Sequence, residues 1–330
     1  MKHTVEESRK ASWITLESKS GLKVTTCTVG AGVYAIEYKG KRLTLVPSDR
    51  EGFIDSNQLF GKTLARVAGR LPLEYHFHDL VLNLPQDELA DCLHAGKMES
   101  LSYRNWDYEV KEGEGEATVT FTYHSPDGEC GFPGNVVAQV SYTLRDDAPT
   151  FRLGFHAESD RLTPFSFSNH IYWDLCDDND VSGETLYMNA DRMGDDDGKS
   201  QLITGVKPIL PCLDFRTPHT LKASMDEVEE NLVTRTIDHT FLFTEVDSEK
   251  PQASLENDQI KLDLLTDMDA INIYVDNSCT PVKFDNGTEM AHKRRAIALE
   301  PQMFLLNIDE ITLTPEKPID HWIEYRVIEK

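Results

Sequence analysis

The sequence lacks the features that mark several large classes of protein. Its six cysteines, at positions 27, 92, 130, 176, 212 and 279, form no Cys-x-x-Cys pair. No apolar run approaches the roughly 18 residues of a membrane-spanning helix. The Gly-x-Gly-x-x-Gly and Gly-x-Ser-x-Gly motifs are absent, so dinucleotide-binding and serine-hydrolase functions have no support. Basic residues are few, 33 against 57 acidic ones, and the net charge of −24 disfavours nucleic acids and anionic membranes as partners.

The amino-terminal segment also lacks the apolar core of a signal peptide. A chain of 330 residues can bury a large core without disulfides, and unpaired cysteines suit a reducing compartment. We therefore expect a cytoplasmic protein. The sharpest change in composition is the acidic loop 177–198, which strand-like segments flank, so we expect a single domain over residues 1–330.

Helical periodicity is nearly absent, and Leu221–Leu232 is the best helical candidate. Short segments that alternate apolar and polar residues recur instead, with turn residues between them. The clearest are Trp13–Leu16, Val24–Thr28, Val33–Tyr38, Ala117–Tyr123, Val136–Leu144, Phe151–Ala157, Ile260–Leu265, Ile271–Val275 and Ala296–Leu299. Strands that turns join without intervening helices predict an all-β protein, an antiparallel sandwich or barrel.

The stretch Phe165–Leu175 carries a histidine within one of these alternating patterns. Its large apolar side chains fall on one face of an extended chain, and the opposite face carries Ser166, Ser168, His170, Tyr172 and Asp174. We expect a strand that packs on the core by one face and borders a polar cleft with the other. By itself, the pattern favours a structural, hydrogen-bonded histidine over a functional one.

A second segment, Ala296–Glu300, places a carboxylate on one face beside two alanines. The small alanines predict an open shelf next to Glu300, although a glutamate at the end of a strand is commonly a surface residue. A histidine and a glutamate that face each other across a cleft form an acid–base pair with different intrinsic pKa values. Our hypothesis is that the fold brings His170 and Glu300 together.

Metal and phosphate sites have weak support. Cys92 and His94 are two possible zinc ligands, but no other closely spaced pair completes a tetrahedral set, so we expect no metal. The segment Gly194–Ser200 resembles a phosphate loop, yet it has one residue too few between its glycines and contains three aspartates. Asp177–Asp180 lacks the glycine and the terminal glutamate of a calcium loop.

Two arginines, Arg66 and Arg70, flank a Val-Ala-Gly segment. A guanidinium suits bidentate contacts with ligand oxygens, but both residues are equally compatible with solvated charges. Asp238 precedes an apolar run and, taken alone, is an ordinary turn residue.

Several short segments follow one another in an order that a known protein family shares. They are Ala65–Leu71, Leu93–Gly96, Ser125–Gly134 (S-P-D-G-E-C-G-F-P-G), Tyr142–Leu144, Ser168–Leu175, Asp214–Arg216, Asp238–Phe241 and Leu299–Gln302. Together they resemble the aldose 1-epimerases, or galactose mutarotases, over nearly the whole chain. The sequence departs from the family pattern at Ala95, Trp173, Asp174 and Pro301, and none of these changes removes a functional group.

The resemblance implies an antiparallel β-supersandwich with an open sugar-binding cleft. It implies an isomerase that interconverts the α and β anomers of a free hexose such as galactose or glucose. Glu300 corresponds to the general base, His170 to the general acid, and His94 to a second histidine at the reacting end. Arg70 and Asp238 correspond to ligands of sugar hydroxyls. No cofactor is implied, the partner is a small free sugar, and both a monomer and a homodimer remain open.

Two alternative functions remain open on the same fold. An epimerase of hexose 6-phosphates needs several basic residues around the cleft, for which only Arg66 and Arg70 are candidates. A non-catalytic sugar-binding protein usually lacks the acid or the base, and both are present here.

The implied roles require Glu300 to be ionised and His170 to be protonated near neutral pH. We expect Glu300, with Asp174 as a second candidate, to raise the pKa of His170. Tyr172 shares the polar face and is a further candidate for tuning the histidine. Trp173 is expected to pack behind the cleft.

Overall fold

The computed structural model describes residues 1–87, 91–176, 180–196, 201–232, 234–277, 283–284 and 294–330. Within these ranges the chain is built mainly of β-strands, in agreement with the alternating segments. In chain order the strands are β1 (Lys2–Glu7), β2 (Ser12–Glu17), β3 (Leu22–Cys27), β4 (Gly32–Tyr38), β5 (Lys41–Arg42), β6 (Thr63–Leu64), β7 (Arg70–Leu71), β8 (Glu74–Phe77), β9 (Leu80–Asn83), β10 (Cys92–Leu93), β11 (Asp107–Gly113), β12 (Glu116–Ser125), β13 (Val136–Arg145), β14 (Thr150–Ser159), β15 (Thr163–Pro164), β16 (Ser168–Asn169), β17 (Tyr172–Trp173), β18 (Thr185–Met188), β19 (Ala190–Asp196), β20 (Ile203–Pro208), β21 (His219–Thr220), β22 (Asp238–Phe243), β23 (Ala253–Glu256), β24 (Ile260–Thr266), β25 (Ala270–Val275), β26 (Ile297–Gln302), β27 (Thr312–Leu313) and β28 (Ile319–Glu329).

Helical structure is sparse. Two short α-helices are present in the described ranges, α1 (Arg50–Asp55) and α2 (Leu221–Asn231), and α2 confirms the helix predicted from the sequence. Single 3₁₀ turns span Lys97–Glu99, Leu101–Tyr103, Glu129–Gly131, Val181–Gly183 and Pro211–Leu213. None of the helices in the described ranges has the length and apolarity needed to cross a membrane. The cysteines of these ranges, all except Cys279, are free thiols.

The long strands form three antiparallel sheets. Strands β1 to β5 make a five-stranded meander in sequence order. The largest sheet has nine strands in the order β11-β12-β13-β14-β28-β24-β23-β18-β21, and a six-stranded sheet has the order β17-β26-β25-β22-β19-β20. The short strands form the pairs β6–β16, β7–β10, β8–β9 and β15–β27.

One continuous core of buried apolar side chains draws on all three large sheets. In β13 every second residue from Val136 to Leu144 is buried while its neighbours are partly exposed, as expected for a strand that packs by one face. The predicted alternating segments are therefore confirmed as strands. Each fully buried Val, Leu or Phe contributes about 1.5–3 kcal/mol relative to leaving it exposed.

The stretch Phe165–Leu175 is not the continuous strand that its alternation predicts. It contains the short strands β16 and β17, which pair with β6 and β26 respectively, and His170 lies between them. The backbone of His170 nevertheless stays paired, donating to Lys62 O at 2.9 Å and accepting from Gly61 N at 2.8 Å. All residues from 165 to 175 are buried, because structure covers both faces of the stretch. The polar face therefore lines an interior and not an exposed cleft wall.

The six-stranded sheet arranges polar residues in register across its strands. Asn272 on β25 lies opposite Thr240 on β22 and opposite Glu300 on β26. Two residues further along the same pair of strands, Asp238 on β22 lies opposite Tyr274 on β25. Side chains two residues apart share a face, so this face of the sheet carries a compact set of polar groups.

Pro301 lies inside β26, where a missing N–H would normally disrupt pairing. The neighbouring strand β17 pairs only with Ile297 and Ala298, so β26 has a partner from β25 alone at Pro301. A proline is tolerated at this locally edge-like position. Its presence does not displace Glu300, the residue before it.

Arg66 is fully buried and fastens the Ser125–Gly134 loop. Its Nε donates to Ser125 Oγ at 2.9 Å, Nη1 to Pro133 O at 3.1 Å, and Nη2 to Gly134 O at 2.9 Å. The conspicuous S-P-D-G block is therefore a loop that closes around a guanidinium. Arg66 is not a solvated charge, and it does not contact the cavity described below.

Candidate active site

A cavity of about 280 Å³ lies against the polar face of the six-stranded sheet and the loops beside it. All five residues singled out from the sequence line it: Arg70, His94, His170, Asp238 and Glu300. The volume is close to the lower end of the roughly 300–1,000 Å³ typical of small-molecule sites. The fold thus brings together side chains from well-separated parts of the chain. Their chemical roles remain predictions.

His170 and Glu300 form a close, buried pair at this cavity. His170 Nε2 lies 3.7 Å from Glu300 Oε1, and both side chains are almost fully buried. The distance is longer than a direct hydrogen bond and short enough for a strong electrostatic interaction. Glu300 sits within β26 and is not the exposed strand-end residue that the sequence left open.

Burial shifts the pKa values of His170 and Glu300 in directions opposite to those that their implied roles require. It lowers the pKa of His170 to about 4, with the positive charge of Lys97 acting in the same sense. It raises the pKa of Glu300 to about 8, and the negative charge of Asp238 adds to this shift. The expectation that carboxylates raise the pKa of His170 is therefore wrong, because removal from water disfavours both charged forms. Between about pH 4 and about pH 8 the pair therefore holds one titratable proton, which resides on Glu300.

Some polar atoms of this pair lack hydrogen-bond partners among the described residues. These buried atoms are His170 Nδ1 and Glu300 Oε2, and Gln302 Oε1 at the same cavity shares this property. Leaving such an atom without a partner costs about 1–3 kcal/mol. Asn272 Nδ2 is only a distant neighbour of Glu300 Oε1, at 3.5 Å. These atoms have almost no accessible surface, so they are unsatisfied inside the protein and are not open to a ligand as they stand.

His94 is held by reciprocal contacts with Gly69. The backbone N–H of His94 donates to Gly69 O at 2.8 Å, and Gly69 N–H donates to His94 Nδ1 at 3.0 Å. Because Nδ1 accepts a hydrogen bond, the proton of the neutral ring resides on Nε2. Burial, together with the nearby cations, places the pKa of His94 well below its usual value. His94 is therefore a neutral hydrogen-bond donor.

Gly69 must be a glycine for this arrangement. Its φ is +97°, and a Cβ there would approach Leu305 Cδ1 to 2.9 Å. His94 itself has φ of +48°, and the next three residues also have positive φ. Such a backbone conformation costs about 1–2 kcal/mol for each non-glycine residue and is concentrated at functional sites.

The cluster of His94, His170 and Glu300 also has the spacing of a metal site, with ligand atoms within 4.8 Å of one another. The chemistry of His94 does not fit this use. A metal on Nε2 would require the proton on Nδ1, where it would face the N–H of Gly69. Burial also favours the protonated form of Glu300, which is a poor metal ligand.

Arg70 and Asp238 belong to a hydrogen-bonded chain along one side of the cavity. Arg70 Nη1 donates to Asp91 Oδ1 at 3.3 Å, and Nη2 donates to Gln201 Oε1 at 3.2 Å. Gln201 Nε2 in turn donates to Asp238 Oδ2 at 3.0 Å. Asn272 Nδ2 approaches the other oxygen of Asp238, Oδ1, at 3.4 Å. Hydrogen bonds on two sides therefore orient Arg70 and Asp238, the two residues predicted to bind sugar hydroxyls.

Two tyrosines border the His170–Glu300 pair. The rings of Tyr172 and His170 have centroids 4.7 Å apart, and Tyr274 lies 6.1 Å from the same imidazole. Ala298 lies directly between the tyrosines in the strand register. The open shelf expected beside Glu300 is therefore walled by aromatic rings. Tyr172 lies next to His170, but it is not among the causes of the shift in the pKa of His170, so the tuning expected of it is not seen.

The other two neighbours of His170 in sequence do not reach the cavity. Asp174 is buried, its backbone N–H donates to Leu43 O at 3.0 Å, and its side chain is absent from the cavity lining. The lowered pKa of His170 arises from burial and from Lys97, against an opposing effect of its own backbone, and Asp174 takes no part in it. Trp173 packs against Tyr325, with ring centroids 4.7 Å apart, so its predicted place behind the cavity is confirmed.

Comparison with known proteins identifies the family. The family model described as aldose 1-epimerase matches residues 12–326, nearly the whole chain. The chain belongs to the aldose 1-epimerase family. Members of this family are isomerases, so the predicted enzyme class is confirmed.

Curated relatives of this aldose 1-epimerase family member carry related names. An aldose 1-epimerase of Streptococcus thermophilus is 28% identical over 191 residues, which span 56% of this chain and 55% of that protein. A maltose epimerase of Levilactobacillus brevis is 23% identical over 325 residues, 96% of this chain and 94% of that protein. The solved galactose 1-epimerase of Lactobacillus acidophilus NCFM superposes with a TM-score of 0.87 at 22% identity and covers 99% of this chain and 98% of its own. The last similarity confirms the β-supersandwich fold.

Several cavity residues were missed by the sequence reasoning. Asn272 had a usable signal, since it is a polar residue within the apolar alternation of β25. Gln302 belongs to a segment quoted for the family resemblance, yet it was given no role. Lys97 and Gln201 lie outside regular strands, so no periodicity in the sequence marks them.

Proposed function

We propose that this protein interconverts the α and β anomers of a free hexose such as galactose or glucose. The observation that carries the proposal is the buried His170–Glu300 pair, 3.7 Å apart at a cavity of monosaccharide scale. Anomerisation requires one proton to leave the C1 hydroxyl while another reaches the ring oxygen. Two adjacent groups that share one proton can carry out both transfers.

In the proposed opening step, Glu300 takes the proton of the C1 hydroxyl and His170 gives a proton to the ring oxygen. The C1–O5 bond breaks, and the open-chain aldehyde forms. Rotation about C1–C2 presents the other face of the carbonyl. The two groups then exchange roles and the ring closes, so neither proton nor electron is lost in the cycle.

The His170–Glu300 pair is either neutral or an ion pair, and the pKa shifts indicate at which stage of the reaction each form occurs. In the empty site the pair is neutral, with the proton on Glu300. The same neutral state follows ring opening, after Glu300 has gained a proton and His170 has lost one. Burial therefore favours the same neutral pair in the empty site and beside the open-chain sugar, and it disfavours the ion pair from which ring opening starts. The ion pair must form in the loaded site, where the attraction between charges 3.7 Å apart offsets part of its cost.

The remaining residues position the sugar. His94 presents the Nε2–H of a neutral imidazole, which suits a hydrogen bond to an oxygen at the reacting end. Arg70 and Asp238 are the proposed ligands of sugar hydroxyls, and the chain of contacts through Gln201 keeps them apart and oriented.

The cavity favours a neutral sugar over a hexose 6-phosphate. Among the described residues that line it, the lysines and arginines are Arg70 and Lys97, whereas Asp196, Asp238 and Glu300 contribute carboxyl groups. Arg66, the other basic residue considered for a phosphate, is committed to its loop. A non-catalytic role would leave the cost of the buried pair without a function.

Anomerisation of fresh α-D-galactose and α-D-glucose, followed by polarimetry or ¹H NMR, tests the proposal. Their 6-phosphates and maltose belong in the same series, and the uncatalysed rate must be subtracted. We expect rapid equilibration of a free hexose by the wild type and none above background by Glu300→Gln. Activity confined to the phosphorylated sugars, or equal rates for the two proteins, would refute it.

A further inference from the structure

We propose that Gln201 is a specificity-determining residue. Its carboxamide holds the two hydroxyl-binding groups, Arg70 and Asp238, apart in the empty site. The sugar then replaces its hydrogen bonds to them. The inference rests on the proposed function for the identity of the ligand. It concerns a residue outside the family motifs found in the sequence.

The geometry places Gln201 between the two groups. Its Oε1 accepts from Arg70 Nη2 at 3.2 Å, and its Nε2 donates to Asp238 Oδ2 at 3.0 Å. The orientation of the amide is fixed by its partners, because a guanidinium only donates and a carboxylate only accepts. All three side chains line the same cavity.

An amide in this position prevents a direct ion pair. Arg70 and Asp238 carry opposite charges on one side of the cavity, and a side-chain contact between them would remove both from the ligand. Gln201 satisfies each of them with a neutral group instead. Each of these hydrogen bonds joins a charged group to a neutral one, and a sugar hydroxyl, which is also neutral, can replace the amide in the same kind of bond.

A sugar hydroxyl has the same hydrogen-bonding capacity as this amide. It accepts from an arginine and donates to a carboxylate at the same time. Adjacent sugar hydroxyls with the right configuration can therefore replace the amide contacts, or share the two charged groups with it. A hydroxyl of the opposite configuration would leave one charged group with the amide alone.

The backbone of Gln201 supports a functional role. Its φ is +61°, a left-handed conformation that is unfavourable for a non-glycine residue. A residue in a strained conformation whose side chain bridges two ligand-binding groups is typical of a functional site.

Binding of sugars that cannot open separates this inference from catalysis. The probes are 1,5-anhydro-D-galactitol and 1,5-anhydro-D-glucitol, which keep the ring but lack the C1 hydroxyl, and the measurement is Kd by titration calorimetry. Gln201→Ala removes the bridge, and Gln201→Glu keeps the acceptor for Arg70 but places a carboxylate against Asp238. Gln259→Glu, at an exposed site far along the chain, is the matched control.

We expect Gln201→Ala to weaken binding about 5–30-fold, because without the amide Arg70 and Asp238 can pair directly in the empty site and the sugar must then break that ion pair. Its kcat should stay within about threefold of the wild type, while the ratio of kcat/KM between galactose and glucose changes at least about threefold. Gln201→Glu should weaken binding further, and Gln259→Glu should have no effect. Circular dichroism and Tm of each variant show whether it is folded, and Gln201→Met provides a second neutral variant.

The outcomes distinguish this inference from the proposed function. If the wild type anomerises hexoses and both neutral Gln201 variants retain its Kd and its galactose-to-glucose ratio, only the role of Gln201 is refuted. If the wild type binds the anhydro sugars through Gln201 but does not anomerise hexoses, the inference stands and the proposed reaction fails. If the wild type neither binds the anhydro sugars nor anomerises hexoses, both are refuted.

Discussion

Two buried polar sites in this molecule differ in how completely their hydrogen bonds are satisfied. Arg66 is enclosed by the Ser125–Gly134 loop, and its guanidinium donates to a hydroxyl and to several backbone carbonyls. The His170–Glu300 pair is equally buried, yet His170 Nδ1 and Glu300 Oε2 have no partners among the described residues. Both sites remove ionisable groups from water.

The comparison separates a structural site from the site that we propose to be reactive. Burial lowers the pKa of Arg66 only to about 10, so the guanidinium stays charged at neutral pH and its hydrogen bonds stabilise the loop. At the His170–Glu300 pair, burial without compensating contacts makes both residues neutral and moves their pKa values to either side of neutrality. Incomplete hydrogen bonding costs stability, and we propose that it supplies the proton chemistry.

The largest expected effect breaks the reactive side of this comparison. Glu300→Gln and His170→Asn should each lower the rate of anomerisation about 10²–10⁴-fold, since each removes one positioned proton-transfer group. Polarimetry at a fixed pH measures the loss. Glu109→Gln and His76→Asn, at exposed positions, are the matched controls and should retain full activity. A variant at 170 or 300 with near-normal turnover would contradict the assigned chemistry.

Removal of the arginine tests the structural side. Arg66→Met should lower the free energy of unfolding by about 3–5 kcal/mol, because the loop carbonyls lose their donors in a buried environment. Urea denaturation followed by tryptophan fluorescence measures the change. Arg216→Met removes an exposed arginine that pairs with Asp214 and should leave the midpoint unchanged. Equal stability of the two variants would show that Arg66 is not a structural residue.

The pH dependence of activity sharpens the comparison further. One proton on the His170–Glu300 pair is required, so activity should be nearly constant between about pH 5 and 7. It should fall about tenfold per unit above a pKa near 8, where Glu300 loses the shared proton, and again below a pKa near 4, where His170 gains a second one. Initial rates over pH 4–10, corrected for the uncatalysed reaction, measure this profile. Constant activity from pH 5 to 9 would be incompatible with it.

The smallest effect concerns stability. The pKa of Glu300 is raised in the folded protein from 4.5 to about 8, so its protonation stabilises the fold fully below about pH 4.5 and this contribution is lost as pH rises through 8. Gln at this position does not ionise. The Tm of Glu300→Gln relative to the wild type should therefore increase by a few degrees between pH 5 and 8. A difference in Tm that is independent of pH would show that Glu300 is not buried as described.

Much of the fold follows from the sequence, because strands such as β13 pack by one face and show a clear alternation. The stretch Phe165–Leu175 was misread for the opposite reason: both of its faces are covered, so the period of two carried no information about exposure. The locations of His170 and Glu300 were predictable from motifs. Their pKa shifts were not, since burial depends on the packing of elements distant in sequence.

The chain of contacts around Gln201 was equally invisible to sequence reasoning. Its members come from separate segments, and Gln201 itself lies outside the strands. A glutamine in a loop has no periodicity and no distinctive neighbours. Only the three-dimensional arrangement shows which polar groups it connects.

The left-handed turn at residues 94–97 bears on how the active site assembles during folding. Its backbone conformation is unfavourable for the three non-glycine residues, so a short peptide with this sequence would not adopt it. The turn depends on Gly69, which approaches His94 only once β7 and β10 have paired. We therefore expect refolding intermediates without this pairing to be inactive, and activity to return only once the two strands have paired.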